Sequence, residues 1–187
     1  MPDADSNDAF VLTVTERGIV YLGTNPVAVT ALAQEINNRL STRPQKLFIK
    51  ADARTPYAKV FELLKVAKTS GVEAPILLTA QPDSANRSTI VPPEGLEVLV
   101  DPASLPGTVT TVVELLNSGQ QQPLLRVNGD EIHGSALEST LTRHFQKGDE
   151  KVILLKADLR LPFAQVIHVI DAARSTGAKV VLLPPRP

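Results

Sequence analysis

The sequence contains no cysteine and no tryptophan, a single methionine, and only two tyrosines and five phenylalanines among 187 residues. Without cysteine there are no disulfides, no thiolate nucleophile, no iron–sulfur cluster and no zinc site built on sulfur. That absence says little about compartment. An excess of one charge sign is also missing: 19 Lys and Arg face 20 Asp and Glu, for a formal net charge of −1. Division at Pro93 leaves 10 basic and 9 acidic residues before it and 9 basic and 11 acidic after it. Neither half is a basic patch hidden by averaging, which argues against a nucleic-acid partner. No run approaches the roughly 18 apolar residues of a membrane helix. The longest uncharged stretch, Gly18 to Gln34, is interrupted by Gly23, Asn25 and Pro26. The opening residues Met1 to Asp8 are polar and acidic, unlike a signal peptide, so residues 1–9 read as a tether. Gly-x-Gly-x-x-Gly, phosphate-loop and Gly-x-Ser-x-Gly sequences are absent too, so no nucleotide cofactor and no hydrolase triad is expected.

What the chain does have is internal similarity. Lys50-Ala51-Asp52-Ala53-Arg54-Thr55-Pro56-Tyr57 returns as Lys156-Ala157-Asp158-Leu159-Arg160-Leu161-Pro162-Phe163. From Ile49 to Leu77, 10 of 29 positions are identical to Leu155 to Leu183. Upstream, Val27 to Leu32 aligns with Ile132 to Leu137, followed by Ile36 with Leu141 and Leu40 with Phe145. Such self-similarity reads as a tandem duplication.

The first copy, residues 10–80, has a clear element string. Phe10 to Val14 and Gly18 to Leu22 are β-rich runs around a turn at Glu16-Arg17-Gly18. Leu32, Ile36 and Leu40 recur at helical spacing, leaving Gln34, Glu35, Asn38 and Arg39 for solvent. Leu47 to Ala51 reads as a buried strand. Thr55 can cap a following helix, with Pro56 in its first turn and Tyr57, Val60, Leu64 and Ala67 as its buried stripe. Gly71 then stops that helix, and Pro75 to Thr79 closes the unit.

The second copy, residues 96–187, repeats the plan. Ser135 and Glu138 form a capping box; Leu137, Leu141 and Phe145 make one apolar row, Phe163, Val166, Ile170 and Ala173 another, and Lys179 to Leu183 the last strand. Its hairpin is expected to pair Leu96–Val100 with Leu124–Asn128 across an insertion, residues 101–123, that includes a helix from Val109 to Asn117. The other pairing sets Leu125–Val127 against Ile132 around Asn128-Gly129, and leaves Leu96–Val100 without a role. Residues 81–95, which include Pro82, Asp83, Ser84, Asn86, Ser88, Pro92 and Pro93, read as a linker. The expected fold class is therefore α+β: two small β-β-α-β-α-β sandwiches in tandem, each with helices on one face of a mixed sheet.

The repeated charged pairs Asp52/Arg54 and Asp158/Arg160 sit at strand ends, where open sheets often bind ligands. An Asp just ahead of a helix also accepts backbone N–H groups and pairs with Arg, a structural or interface role. Neither pair includes a proton shuttle tuned near neutral pH, so the chain is not expected to be an enzyme. His133, His144 and His168 all lie in the second copy, at spacings that match no metal site; they read as solvated or packed side chains. Tyr57 and Phe163, each directly after Pro56 or Pro162, read as core residues or as a shared anchor for a partner segment. Pro184 to Pro187 is a polyproline-like tail.

The series Lys-Ala-Asp-x-Arg-x-Pro-[Tyr/Phe]-x-x-Val resembles the periplasmic domain of the ExbD/TolR biopolymer-transport family. Tyr21-Leu22-Gly23-Thr24-Asn25-Pro26-Val27 is similar to that family's hairpin end, and Arg126 to Ile132 stands there in the second copy. Ile170-Asp171-Ala172-Ala173-Arg174-Ser175-Thr176-Gly177 is similar to its helix end, as is Leu64 to Gly71 with the Asp lost. The resemblance implies a non-catalytic part of a proton-driven inner-membrane complex, with ExbB/TolQ-like motor subunits and a TonB- or TolA-like protein or peptidoglycan as partners. It also implies an N-terminal membrane helix carrying a proton-linked Asp. Asp52 and Asp158 are no substitutes for that residue, so the chain is expected to be the periplasmic portion of an anchored protein. Family members typically have one such domain and pair as homodimers; two copies here would act as a built-in pseudo-dimer.

Overall fold

The computed structural model describes residues 10–42, 46–72, 74–78, 95–100, 111–120, 122–145 and 151–183. The expected tether (1–9), nearly all of the linker (81–95) and the tail (184–187) lie outside the described residues.

Strand β1 (Phe10–Val14) is flanked by β2 (Val20–Leu22), with β3 (Asn25–Pro26) beyond it. Helix α1 (Val29–Thr42) leads to β4 (Leu47–Ala51), which lies parallel to β1 in the register Phe10↔Leu47 to Val14↔Ala51. Helix α2 (Tyr57–Thr69) crosses to β5 (Ile76–Leu78), parallel to β4. Gly71 ends the α2 region at φ 83°, and Gly177 does the same for the corresponding helix of the second half at φ 72°, a left-handed geometry that a Cβ would strain.

Strand β6 (Gly95–Val100) comes next, and the same succession of pairings then recurs. Strand β7 (Thr111–Leu116) pairs with β8 (Leu124–Val127), and β8 with β9 (Asp130–Ile132). Helix α3 (Leu137–Phe145), entered through a single 3₁₀ turn at Gly134–Ala136, leads to β10 (Val152–Ala157), parallel to β7. Helix α4 (Phe163–Ser175) crosses to β11 (Lys179–Leu183), parallel to β10. Among the described residues no helix is long and apolar enough to cross a membrane.

Among the described residues eleven strands form one sheet, in the order β3-β2-β1-β4-β5-β6-β11-β10-β7-β8-β9. The expectation of two separate sandwiches is thereby corrected. Strand β6 is hydrogen-bonded antiparallel to β5 on one side and parallel to β11 on the other. Val98 is fully buried there, Lys46 pairs with Glu97 at 3.3 Å, and the α2 Lys68 Nζ donates to the Val100 carbonyl at 2.6 Å. Strand β6 therefore occupies the centre of the molecule rather than the start of the second hairpin.

The helix expected over Val109–Asn117 is corrected as well: its described part is strand β7. Thr111, Val113 and Leu115 are buried and alternate with less buried neighbours. This period-two pattern lets β-branched residues pack against partners on both sides. The hairpin is β7–β8, so Leu96–Val100 is not the partner of Leu124–Asn128; residues 101–110 of the expected insertion 101–123 lie outside the described residues. Register shows what did change. Val14 corresponds to Leu115, 101 positions on, and Val20 to Leu125, 105 on, so the second hairpin loop is four residues longer. The pairing of Leu125–Val127 with β9 is the one present. Its turn has Asn128 at φ 52° and Gly129 at φ 94°, the geometry that Asn-Gly favours.

One apolar cluster runs through both halves. It joins Phe10, Leu12, Leu32 and Ile36 of the first to Val113, Leu141, Phe145 and Leu155 of the second. The helical stripes fall as expected: Tyr57, Val60, Leu64 and Ala67 on α2, and Phe163, Val166, Ile170 and Ala173 on α4, are buried. Phe48, Ile76, Val152 and Val181 are buried outside that cluster. They alternate with its members along their strands, so the middle of the sheet is apolar on both faces.

The capping box expected at Ser135 and Glu138 does not form. His133 holds the N-cap position, and its side chain accepts from the Ser135 N–H.

Candidate functional site

Strand β4 ends where Asp52 N donates to the Val14 carbonyl at 3.0 Å, and the chain then turns. The Asp52 carboxylate accepts from Arg54 N at 2.9 Å and from Arg54 Nε at 3.1 Å, while a terminal guanidinium nitrogen reaches Glu16 at 3.1 Å. Asp158 repeats the turn. It accepts from Arg160 N at 2.9 Å and Nε at 3.0 Å, with a terminal nitrogen at 2.6 Å. Short polar residues that bond backbone two positions ahead produce such turns. Both guanidinium groups are largely exposed, Arg54 at 68% and Arg160 at 75% of the side chain.

The two turns are bonded to each other. Tyr57 N donates to the Leu161 carbonyl at 2.8 Å, and Phe163 N to the Thr55 carbonyl at 2.8 Å. Ala58 N donates to Leu159 O at 3.0 Å, and Ala164 N to Ala53 O at 2.9 Å. Pro56 and Pro162 face each other as an antiparallel bridge. Each bond has its counterpart in the other half, so the contact is approximately two-fold. The first N–H groups of a helix have no partner within it. In α2 and α4 the opposite half supplies acceptors for the first two, the third donates to Pro56 O or Pro162 O of its own half, and neither helix has a side-chain cap.

Thr55 therefore does not cap α2 as expected. Its side chain is fully buried, and its hydroxyl has no hydrogen-bond partner among the described residues. The same holds for the Tyr57 hydroxyl, whose pKa burial pushes up, keeping the phenol protonated. The second half has Leu161 and Phe163 at these positions, without the polar atoms. Thr55→Val and Tyr57→Phe are each expected to raise the unfolding free energy by about 1 kcal/mol, since a buried unpaired hydroxyl costs about that much or more. Urea denaturation checks this, and a lowered midpoint would contradict it.

The Arg160 guanidinium holds the Asp158 carboxyl below its ordinary pKa, first through the side-chain hydrogen bond; the backbone N–H of the same residue adds to it. Arg54 lowers Asp52 in the same way. A carboxyl whose pKa is lowered by folding contributes stability above its unfolded pKa, and loses it as pH falls through the folded value. Asp158→Asn is thus expected to lower the melting temperature at pH 7, with the gap from the parent closing below about pH 4. A pH-independent gap in calorimetry would show that the charge is not responsible.

The eight residues singled out in sequence are brought together at this contact. Asp52, Arg54, Pro56 and Tyr57 come from one side and Asp158, Arg160, Pro162 and Phe163 from the other. Tyr57 and Phe163 are buried beneath it, whereas the two prolines and two arginines are exposed. Among the described residues no group of three or more His, Asp or Glu is placed to hold a metal ion. His133 and His168, unremarkable by their spacing, line one groove of the second half. The signal available in sequence was that their counterparts in the first half, Ala28 and Glu62, are chemically different.

No match is found among curated proteins. Residues 2–82, which hold β1 to β5 and the first of the two paired turns, match the family described as Biopolymer transport protein ExbD/TolR.

Proposed function

We propose that this chain is a protein-contacting, non-catalytic part of an energy-transducing complex of the ExbD/TolR type, driven by the proton-motive force. The match of the first half to that family supports this reading. In it, the second half is a second copy of the domain, and the two form a built-in pseudo-dimer. The reciprocal bonds between the turns at Asp52–Tyr57 and Asp158–Phe163 are the observation that carries this last step. A pairing surface that satisfies helix N-termini from the opposite side has the isologous form of a two-fold dimer contact.

In the pairs Asp52/Arg54 and Asp158/Arg160 each carboxylate is bonded by its own arginine while the guanidinium groups lie open to solvent, which suits recognition rather than proton transfer. Their partners would be ExbB/TolQ-like motor subunits, reached through a membrane anchor, and a TonB- or TolA-like protein, all meeting in the periplasm. Because the chain has no cysteine, Arg54→Cys and Arg160→Cys each supply a unique cross-linking handle. Adducts with a motor subunit or a TonB- or TolA-like protein in cells are the expected result. Cysteines that label fully with a soluble reagent and give no such adduct would refute the reading.

A second reading, a module that binds peptide or peptidoglycan, is favoured by the two ends of the sheet. Strands β3 and β9 are short edge strands, able to accept an extended segment. Sedimentation with purified peptidoglycan separates the two: saturable co-sedimentation without protein adducts selects the second.

A further inference from the structure

The two halves differ in chemistry at one place above the sheet. In the second half a groove of about 520 Å³ opens between the first turns of α4, the Gly134–Ala136 turn and the longer hairpin loop. Leu115, Leu125 and Val169, all buried, form its floor, and the exposed His133, Ser135 and His168 stand on its rim. Its volume lies in the range of small-molecule sites, and its lining, apolar with a few convergent polar groups, has their usual composition. No carboxylate, ammonium or guanidinium side chain is among the described residues that line it.

The rim presents donors. His133 Nδ1 accepts from the Ser135 N–H at 3.4 Å and lies 2.9 Å from Ser135 Oγ. With Nδ1 engaged by the Ser135 N–H, Nε2 is the ring nitrogen left to donate. The His168 imidazole has no hydrogen-bond partner among the described residues. In the first half the equivalent positions are Ala28 and Glu62, and Lys59 replaces Gln165. Lys59 pairs with Glu62 at 3.4 Å, and its stem lies over Gly18. One half therefore has a covered, charged surface where the other has an open groove with an imidazole rim.

We propose that this groove binds a small amphipathic monocarboxylate, an acyl or aryl acid of medium length. The apolar body rests on Leu115, Leu125 and Val169, and the carboxylate accepts from His133 Nε2 and from His168. Hydrogen-bond complementarity selects the acid. The rim offers N–H donors to an anion and no carboxylate to repel one, and hydrogen bonds to an ionised acceptor are the strong kind. In the first half the Lys59–Glu62 pair stands at the equivalent positions, with no imidazole donor beside it.

The full chain, ¹⁵N-labelled, is titrated with octanoate and, separately, with 1-octanol, and followed by amide and histidine-ring NMR signals. The expected result is saturable shifts at Leu115, Leu125 and Val169, with octanol binding roughly tenfold more weakly than octanoate. His168→Glu, which installs the first-half residue, and His133→Ala are each expected to weaken octanoate by a similar factor. Both side chains are exposed, and retained amide dispersion shows that each variant is folded; where one loses it, the other decides. Equal binding of octanol and octanoate, equal shifts around Lys59 and Glu62, an unchanged affinity in the folded variants, or no saturable shift would each overturn the proposal.

Discussion

Phe163→Ala is expected to destabilise the whole molecule by about 3–5 kcal/mol, the range for truncating a buried aromatic. Phe163 is 2% exposed and begins α4, and its own N–H reaches across to the Thr55 carbonyl. The cavity would open in the apolar cluster that the halves share, which also holds Tyr57, its counterpart. The informative readout is where the loss is felt. Both tyrosines, Tyr21 and Tyr57, lie in the first half, and there is no tryptophan. Tyrosine fluorescence therefore reports the half opposite to the substitution, while far-UV circular dichroism reports both. Coincident midpoints, shifted together, are expected of one cooperative unit. A fluorescence midpoint that stays at the parent value while part of the dichroism is lost would show halves that fold independently.

Val98→Asp addresses the centre of the sheet and is expected to cost about 3–5 kcal/mol at neutral pH, the scale for an unpaired buried charge. Val98 is fully buried, donates its N–H to the Pro75 carbonyl at 3.1 Å, and pairs in register with Val180. An aspartate there is forced toward its neutral form, so folding raises its pKa. A raised carboxyl pKa means that the penalty is smallest below the unfolded value of about 3.9 and grows as pH rises above it. Val98→Ala, which leaves a cavity without a charge, gives the pH-independent comparison. Equilibrium unfolding between pH 4 and pH 7 separates the two. An equal, pH-independent loss in both variants would mean that water reaches position 98.

These two sites differ in how legible they were. The stripes of α2 and α4 follow from apolar spacing, since Val60, Leu64 and Ala67 can share one face only in a helix. Strand β7 was harder, because Val109, Val112, Val113 and Leu116 also fit helical spacing over so short a run. Pairing with β10 on one side and β8 on the other decides for the strand, and β10 lies far along the chain. Strand β6 is the extreme case: nothing local in Leu96–Val100 says that it lies between β5 and β11.

For the site, the repeated Asp-x-Arg-x-Pro motif announced itself, and its carboxylate–guanidinium turns follow from the residue types. That the two copies bond to each other does not, because the four connecting bonds are between backbone atoms and leave no side-chain signature. The groove escaped for another reason. His133 and His168 are brought together by a turn and a helix, and pairwise spacing rules are blind to that.

Strand β6 has a further consequence for stoichiometry. A two-fold assembly of separate chains dissociates on dilution, because its partners meet at bulk concentration. Here the opposing turns belong to one polypeptide and meet at a fixed effective concentration, commonly in the millimolar range for short tethers. The one-to-one ratio of the halves is thereby independent of expression level or dilution. Each half is also free to change without its alteration appearing twice in the assembly.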